Sequence, residues 1–361
     1  MKKMSILALC LVPAATAMAD ISITFPAGTE GITVAEMQLS PESENLDPVP
    51  LALNAQGTGV YQVRNKKPAS VALLKEVNGR QRSVARIHVA SPADNVSVIV
   101  DADGNVTYKG TPLMEGVSRF EALMKPYIDR FQAIMRNEST EDPDALEQEL
   151  NNTIKGFMAA NAGRPVWAYA LLSLDDEDFM DAYGKMTPED RNSILMPNIE
   201  QKKAQVEKSL KLKALYERLE SGAEPAPSFS LPDTTGKMVS LSDFRGKWVI
   251  LDFWGSWCGW CIKGMPELKK AYEQYKGKLE VVGIDCRDDR EDWLAAIKKY
   301  ELPWVHLYND MENSDAPDRV DRAYGIQGFP TKIIIDPKGY VRKIVIGEDP
   351  QFYTYLADFL K

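Results

Sequence analysis

Residues 247–275, KWVILDFWGSWCGWCIKGMPELKKAYEQY, change period in mid-course. KWVILDFW is almost continuously apolar, as in a strand covered on both faces, whereas Ile262, Met265, Leu268, Tyr272 and Tyr275 recur at helical spacing. A strand buried on both sides that runs directly into a helix belongs in an α/β layer with a parallel core. The C-terminal third continues in that manner. LEVVGID reads as a second buried strand, REDWLAAIKKY as a helix, WVHLYND as a strand and DRVDRAYGI as a helix. TKIIIDPKGYVRKIVI reads as an antiparallel hairpin turning at residues 336–339, and residues 351–361 as a closing helix.

Upstream the texture differs. Residues 20–114 carry short β-type runs (ISITF, VYQV, SVALLKEV, SVARIHVA, NVSVIV) separated by turn formers, which predicts an antiparallel β domain, a sandwich. NVSVIVDADGNVTYKG predicts a hairpin. Its aspartates lack the sixth-position glycine and distal glutamate of a calcium loop, so a plain turn is expected. Residues 115–222 are helical by period: Val117, Phe120, Leu123, Met124, Tyr127 and Phe131, then Leu146, Leu150, Ile154 and Phe157. RPVWAYALLSL predicts a third helix, residues 187–190 a helix start with proline in the first turn, and residues 198–220 a long charged helix after Pro197. SGAEPAPSF, residues 221–229, marks the boundary to a last domain over residues 223–361.

The N-terminus, MKKMSILALCLVPAATAMAD, has two lysines, an apolar run and small residues ending in Ala17-Met18-Ala19, the layout of a signal peptide over residues 1–19. Cys10 raises lipid anchoring, but bulky Leu9 precedes it where a small residue is wanted, so a free periplasmic or envelope protein is expected. Without Lys2 and Lys3 the formal charge of −9 becomes −11, which argues against nucleic acid and anionic membrane as partners. Three cysteines then remain: Cys258, Cys261 and Cys286. A long chain with so few is not a disulfide-stapled scaffold, so its thiols are expected to do chemistry.

Cys258 falls where strand gives way to helix, and Cys261 lies one turn inside. Unpaired amides and the positive end of the helix dipole favour a thiolate at Cys258, which attacks disulfides; Cys261 can then displace the mixed disulfide. A redox pair therefore outweighs a structural disulfide. Zinc is weakly supported, because only Cys286, His88 and His306 accompany the pair and they are scattered. Asp252, inside the apolar run and six residues before Cys258, has two readings, a strand partly exposed at this point or a buried acid beneath the pair. The second is favoured, as the proton acceptor for Cys261 with burial raising its pKa toward neutrality. Trp254 and Trp257 are expected to pack around the site. Cys286 and His306 are expected to be structural.

Residues 224–361 resemble the thioredoxin superfamily, in its exported TlpA/ResA-like branch. The resemblance rests on APSFSLPDTTGKMVSLSDFRGKWVILDFWGSWCGWC, on Pro266 five residues after the second cysteine, and on GIQGFPTKIIIDPKGYV. It implies a nucleophile at Cys258, a resolving thiol at Cys261, a buried acid at Asp252, and a cis Phe329–Pro330 bond facing the disulfide, beside which a substrate segment pairs as an added strand. Trp257, Gly259, Trp260, Phe329 and Pro330 are the expected substrate contacts; Gly259 and Trp260 stand where the dipeptide tunes the redox potential. Gly264 stands where some relatives carry a glutamate, leaving Asp252 the sole expected acid. The lysine that often accompanies that acid has no match in LEVVGID, so no cation is expected beside it.

The function expected is exported thiol-disulfide exchange without a cofactor: reducing or isomerising client-protein disulfides, with electrons from a membrane-bound thiol reductant. A thiol peroxidase would want threonine three residues before its cysteine, where this chain has Gly255. The alternative from another class is an envelope binding or scaffold protein acting through the first 220 residues.

Overall fold

The computed structural model describes residues 18–39, 44–309 and 319–361, so the expected signal peptide, up to Ala17, lies outside the described residues. The chain divides into two compact units, residues 1–207 and 208–361. None of the described helices is long and apolar enough to cross a membrane.

The first unit opens with eight strands: β1 (Asp20–Thr24), β2 (Ile32–Gln38), β3 (Leu46–Pro50), β4 (Thr58–Gln62), β5 (Ala69–Val77), β6 (Arg80–Val89), β7 (Val96–Val100) and β8 (Val106–Lys109). They form two four-stranded sheets, ordered β4-β1-β7-β8 and β3-β2-β5-β6. This is the expected antiparallel β domain: every pairing is antiparallel except β1 with β7, which is parallel. Alternate residues are buried, such as Ile21 and Ile23 on β1 and Ile32 and Val34 on β2. Two tyrosine hydroxyls reach from one sheet to the other: Tyr61 donates to Glu36 Oε1 (2.6 Å), and Tyr108 accepts from the Arg86 amide (3.3 Å). The β7–β8 connection is a plain turn, with Asp101 accepting from the amides of Asp103 and Asn105.

Strand β2 escaped the sequence reading because Glu36 stands at an inward position of its alternation. The buried carboxylate is satisfied by the Tyr61 hydroxyl, the amides of Arg64 and Asn65, and the Asn65 side chain. Helices follow: α1 (Pro112–Met135), α2 (Pro143–Ala160), α3 (Val166–Leu171), α4 (Asp176–Gly184) and α5 (Met196–Glu220). Thr111 and Asp142 cap α1 and α2 with proline in the first turn. At residues 187–190, where a helix start was expected, Thr187 and Asp190 hydrogen-bond each other around a single 3₁₀ turn instead. Pro197 does not interrupt; it sits in the first turn of α5, where its missing N–H costs nothing.

The second unit takes in the end of α5: Leu219 is buried in its core, the Tyr216 hydroxyl donates to Gly325 O (2.8 Å), and Glu220 accepts from the Ile344 amide (2.7 Å). A short ribbon, β9 (Ser230–Pro232) and β10 (Met238–Ser240), precedes β11 (Trp248–Trp254), α6 (Gly259–Gln274), β12 (Leu279–Asp285), α7 (Arg290–Lys299), β13 (Val305–Leu307), α8 (Val320–Ala323), β14 (Thr331–Ile335), β15 (Val341–Ile346) and α9 (Gln351–Phe359). The sheet order is β13-β12-β11-β14-β15, with β11, β12 and β13 parallel and the β14–β15 hairpin antiparallel. Sheet period sorts β11 between two cores. Val249, Leu251 and Phe253 face one; Ile250 and Trp254 face the other, together with Cys258, Cys261, Met265 and Leu268. Asp252 has the same parity as Ile250 and Trp254, so it lies on the α6 face.

Candidate functional site

Strand β11 ends at Trp254, and residues 255–257 carry the chain to Cys258, the N-cap of α6. Cys258 Sγ accepts a hydrogen bond from the Cys261 amide (3.1 Å), taking up one of the unpaired donors of the first turn. The two cysteines are joined as a disulfide, with Cα atoms 5.3 Å apart, and each residue is 5 % exposed. Trp257 and Trp260, by contrast, are 49 % and 63 % exposed. A Cβ added at Gly259 would meet open space.

The approach loop is clamped by the segment after β12, residues 286–288, which carries no sequence motif. Asp288, in this irregular segment, accepts from both the Ser256 amide and hydroxyl (each 2.7 Å). The Trp257 indole donates to the Cys286 carbonyl (3.0 Å) and stands edge-on to Phe329, with centroids 5.3 Å apart. Arg287, at φ 72°, places its guanidinium 5.3 Å from the Phe329 ring centroid. The Phe329–Pro330 bond is cis, and the Pro330 carbonyl accepts from the Gly347 amide (2.7 Å). Trp257, Phe329 and Arg287 therefore meet beside the disulfide, an aromatic surface with a cation on it.

Asp252 is 4 % exposed, and its Oδ1 has no hydrogen-bond partner. Burial pushes its pKa up to about 6; Lys332 pulls it down and Glu348 pushes it up. Two sequence expectations are corrected here. A cation does stand beside the acid: Lys332 on β14 is its antiparallel partner across the sheet and is itself buried. A second carboxylate is also present, since a Cβ built on Gly264 would run into both oxygens of Glu348, whose Oε2 binds Lys332 Nζ at 2.5 Å. The missing lysine and glutamate are thus supplied from β14 and from the turn after β15.

Asp285, at the end of β12 and paired with Trp254, is fully buried, and its pKa is pushed up to about 9, first by burial and then by Asp288. Only the apolar-run position of Asp285 could have flagged this acid pair. Cys286 is 1 % exposed, with its thiol pKa pushed well above the usual range by burial; it touches the site through its backbone, not its sulfur. His306 is buried against Trp254 and Trp304, and burial lowers its pKa to about 4. Among the described residues no group of three or more His, Cys, Asp or Glu could hold a metal ion.

Residues 223–344 match the sequence profile of the AhpC/TSA family. Among curated relatives, the thiol-disulfide oxidoreductase ResA of Bacillus thuringiensis is 34 % identical over 146 residues, 40 % of this chain and 79 % of that protein. ResA of Bacillus subtilis is 35 % identical over 133 residues, 36 % of this chain and 70 % of that protein. A solved thioredoxin domain of a thiol-disulfide oxidoreductase from Bacteroides vulgatus is 31 % identical, with a TM-score of 0.35, covering 39 % of this chain and 98 % of its own. With an α/β unit of this topology, a cysteine pair at the mouth of α6, and ResA matched over most of its length, the chain belongs to the ResA-like thiol-disulfide oxidoreductases of the thioredoxin superfamily.

Proposed function

We propose that this enzyme is exported, and that in the periplasm or cell envelope it reduces or isomerises disulfides of client proteins, using Cys258 as nucleophile, Cys261 as resolving thiol and Asp252 as proton acceptor. The observation that carries the reading is Cys258 Sγ at the N-cap of α6, accepting the Cys261 amide hydrogen. In the reduced enzyme the same amide and the helix dipole favour a thiolate there.

The Cys258 thiolate attacks one sulfur of a client disulfide. A Cys258–client bond forms, and the other client sulfur leaves as a thiolate that takes up a proton. Cys261 then gives its proton to Asp252 and attacks the Cys258 sulfur, closing the Cys258–Cys261 disulfide and releasing the second client thiol. Two electrons have passed to the client, and a membrane-bound thiol reductant restores the dithiol. The exposed faces of Trp257 and Trp260, with Gly259 and the half-buried Phe329 beside them, form the surface on which an extended client segment lies, over the buried Pro330. Export is supported by the lysines, apolar run and small residues of the first 19 positions.

A Cys261→Ser variant lacks the resolving thiol and should accumulate mixed disulfides with other exported proteins, while Cys258→Ser should trap none. If Cys261→Ser traps no more than the wild type, and partners are held only by the first 207 residues, the protein is a binding module instead.

A further inference from the structure

Four elements bring ionisable groups to the α6 face of the sheet. Asp252 comes from β11, Lys332 from β14, Glu348 from the turn after β15, and Tyr353 from α9. Strand β12 presents Gly283 opposite Asp252, and α6 contributes Glu267, which is largely exposed and paired with Lys270. The Tyr353 hydroxyl is buried without a partner, and Glu348, Asp252 and Glu267 all oppose its ionisation. Lys332 is central: its side chain is 4 % exposed, it bonds Glu348, and it is Asp252's partner across the sheet.

A buried ammonium held by a single carboxylate is a different electrostatic object from one shared between two. Gly264, one turn past Cys261, makes the arrangement possible, because any larger residue there would displace the Glu348 carboxylate.

We propose that Glu348 is a positioning residue of the redox site: seated in the gap that Gly264 leaves on α6, it engages Lys332 and thereby governs how readily Asp252 accepts a proton from Cys261. The inference rests on Asp252 acting as proton acceptor, and the two can be scored apart. With Glu348 gone, Lys332 is left to Asp252 alone and favours its ionised form. With Lys332 gone, two carboxylates face each other unscreened and Asp252 holds its proton longer.

The test follows the Asp252 carboxyl carbon by NMR titration in the full-length reduced protein, alongside the pH–rate profile for reduction of a small aromatic disulfide. Glu348→Gln should lower the Asp252 midpoint by about one pH unit and Lys332→Met should raise it by about as much. Glu348→Asp, which keeps the charge, should stay within about 0.3 unit of wild type, and it remains informative if either of the other variants fails to fold. Midpoints that do not move, that move in the same direction, or that fall as far in Glu348→Asp as in Glu348→Gln overturn the inference. Whether Asp252 serves exchange at all is read separately, from the acid limb of the wild-type rate profile and its loss in Asp252→Asn.

Discussion

Asp252 shows what a buried charge does at the scale of one residue. Its ordinary pKa is 3.8 and the fold raises it to about 6, so between those values the native state binds more protons than the unfolded chain. Stability therefore falls as pH rises through that window. The penalty, about 3 kcal/mol, is complete above the folded value and relieved below the unfolded one. Asp252→Asn should accordingly be more stable than wild type at pH 7.5, by ~1–3 kcal/mol in urea unfolding, with the gain vanishing by about pH 4. Its exchange rate should drop on the order of 10²-fold. A pH-independent loss of stability would contradict the assignment. The cysteines and Asp252 were legible in the sequence because strand, turn and helix there are contiguous. Lys332 and Glu348 were not, because only the β11–β14 register and the gap at Gly264 bring them in from some eighty positions away.

At the scale of elements, α6 and its approach loop decide where the sulfurs point. Gly259 and Gly264 occupy the same helix yet should respond oppositely to a methyl group. Alanine is favoured over glycine in a helix by up to about 1 kcal/mol, and at Gly259, where nothing is near, Gly259→Ala should be neutral or stabilising. At Gly264 the added Cβ meets a carboxylate fixed by its ion pair with Lys332, so Gly264→Ala should cost ~1–2 kcal/mol despite the better propensity. Thermal unfolding of the two variants reads the difference. Asp288→Ala removes both hydrogen bonds to Ser256 and should cost ~1–3 kcal/mol, with faster amide exchange at Ser256 and Trp257. Equal exchange in variant and wild type would mean the loop is held by its tryptophan alone. Period alone revealed β11, α6 and β12, which are long and uniformly buried or amphipathic. It did not reveal β2, whose Glu36 faces inward, nor the 3₁₀ turn after Thr187, where capping residues close on themselves before an apolar face begins.

At the scale of the molecule, each unit has its own sheets and its own core, and the division falls within α5, ahead of the proline-rich stretch at 221–229. Composition marked that stretch as a break, but the apolar residues near the end of α5, Leu215, Tyr216 and Leu219, pack into the second unit's core and carry the helix with it. A chain beginning at Lys208 should therefore fold and reduce a small disulfide within about threefold of the full-length rate; a tenfold or greater loss would mean the first unit completes the site.

Disulfide exchange by this enzyme depends on ionisation of one sulfur at the start of α6. The most direct measurement is the pH dependence of alkylation in the fully reduced protein, with peptide mapping to separate the two thiols. Cys258 should react first, with a midpoint below about 7.5, while Cys261 stays protonated to higher pH. A Cys258 midpoint at or above the free-thiol value of about 8.5, or faster alkylation of Cys261, would contradict the account.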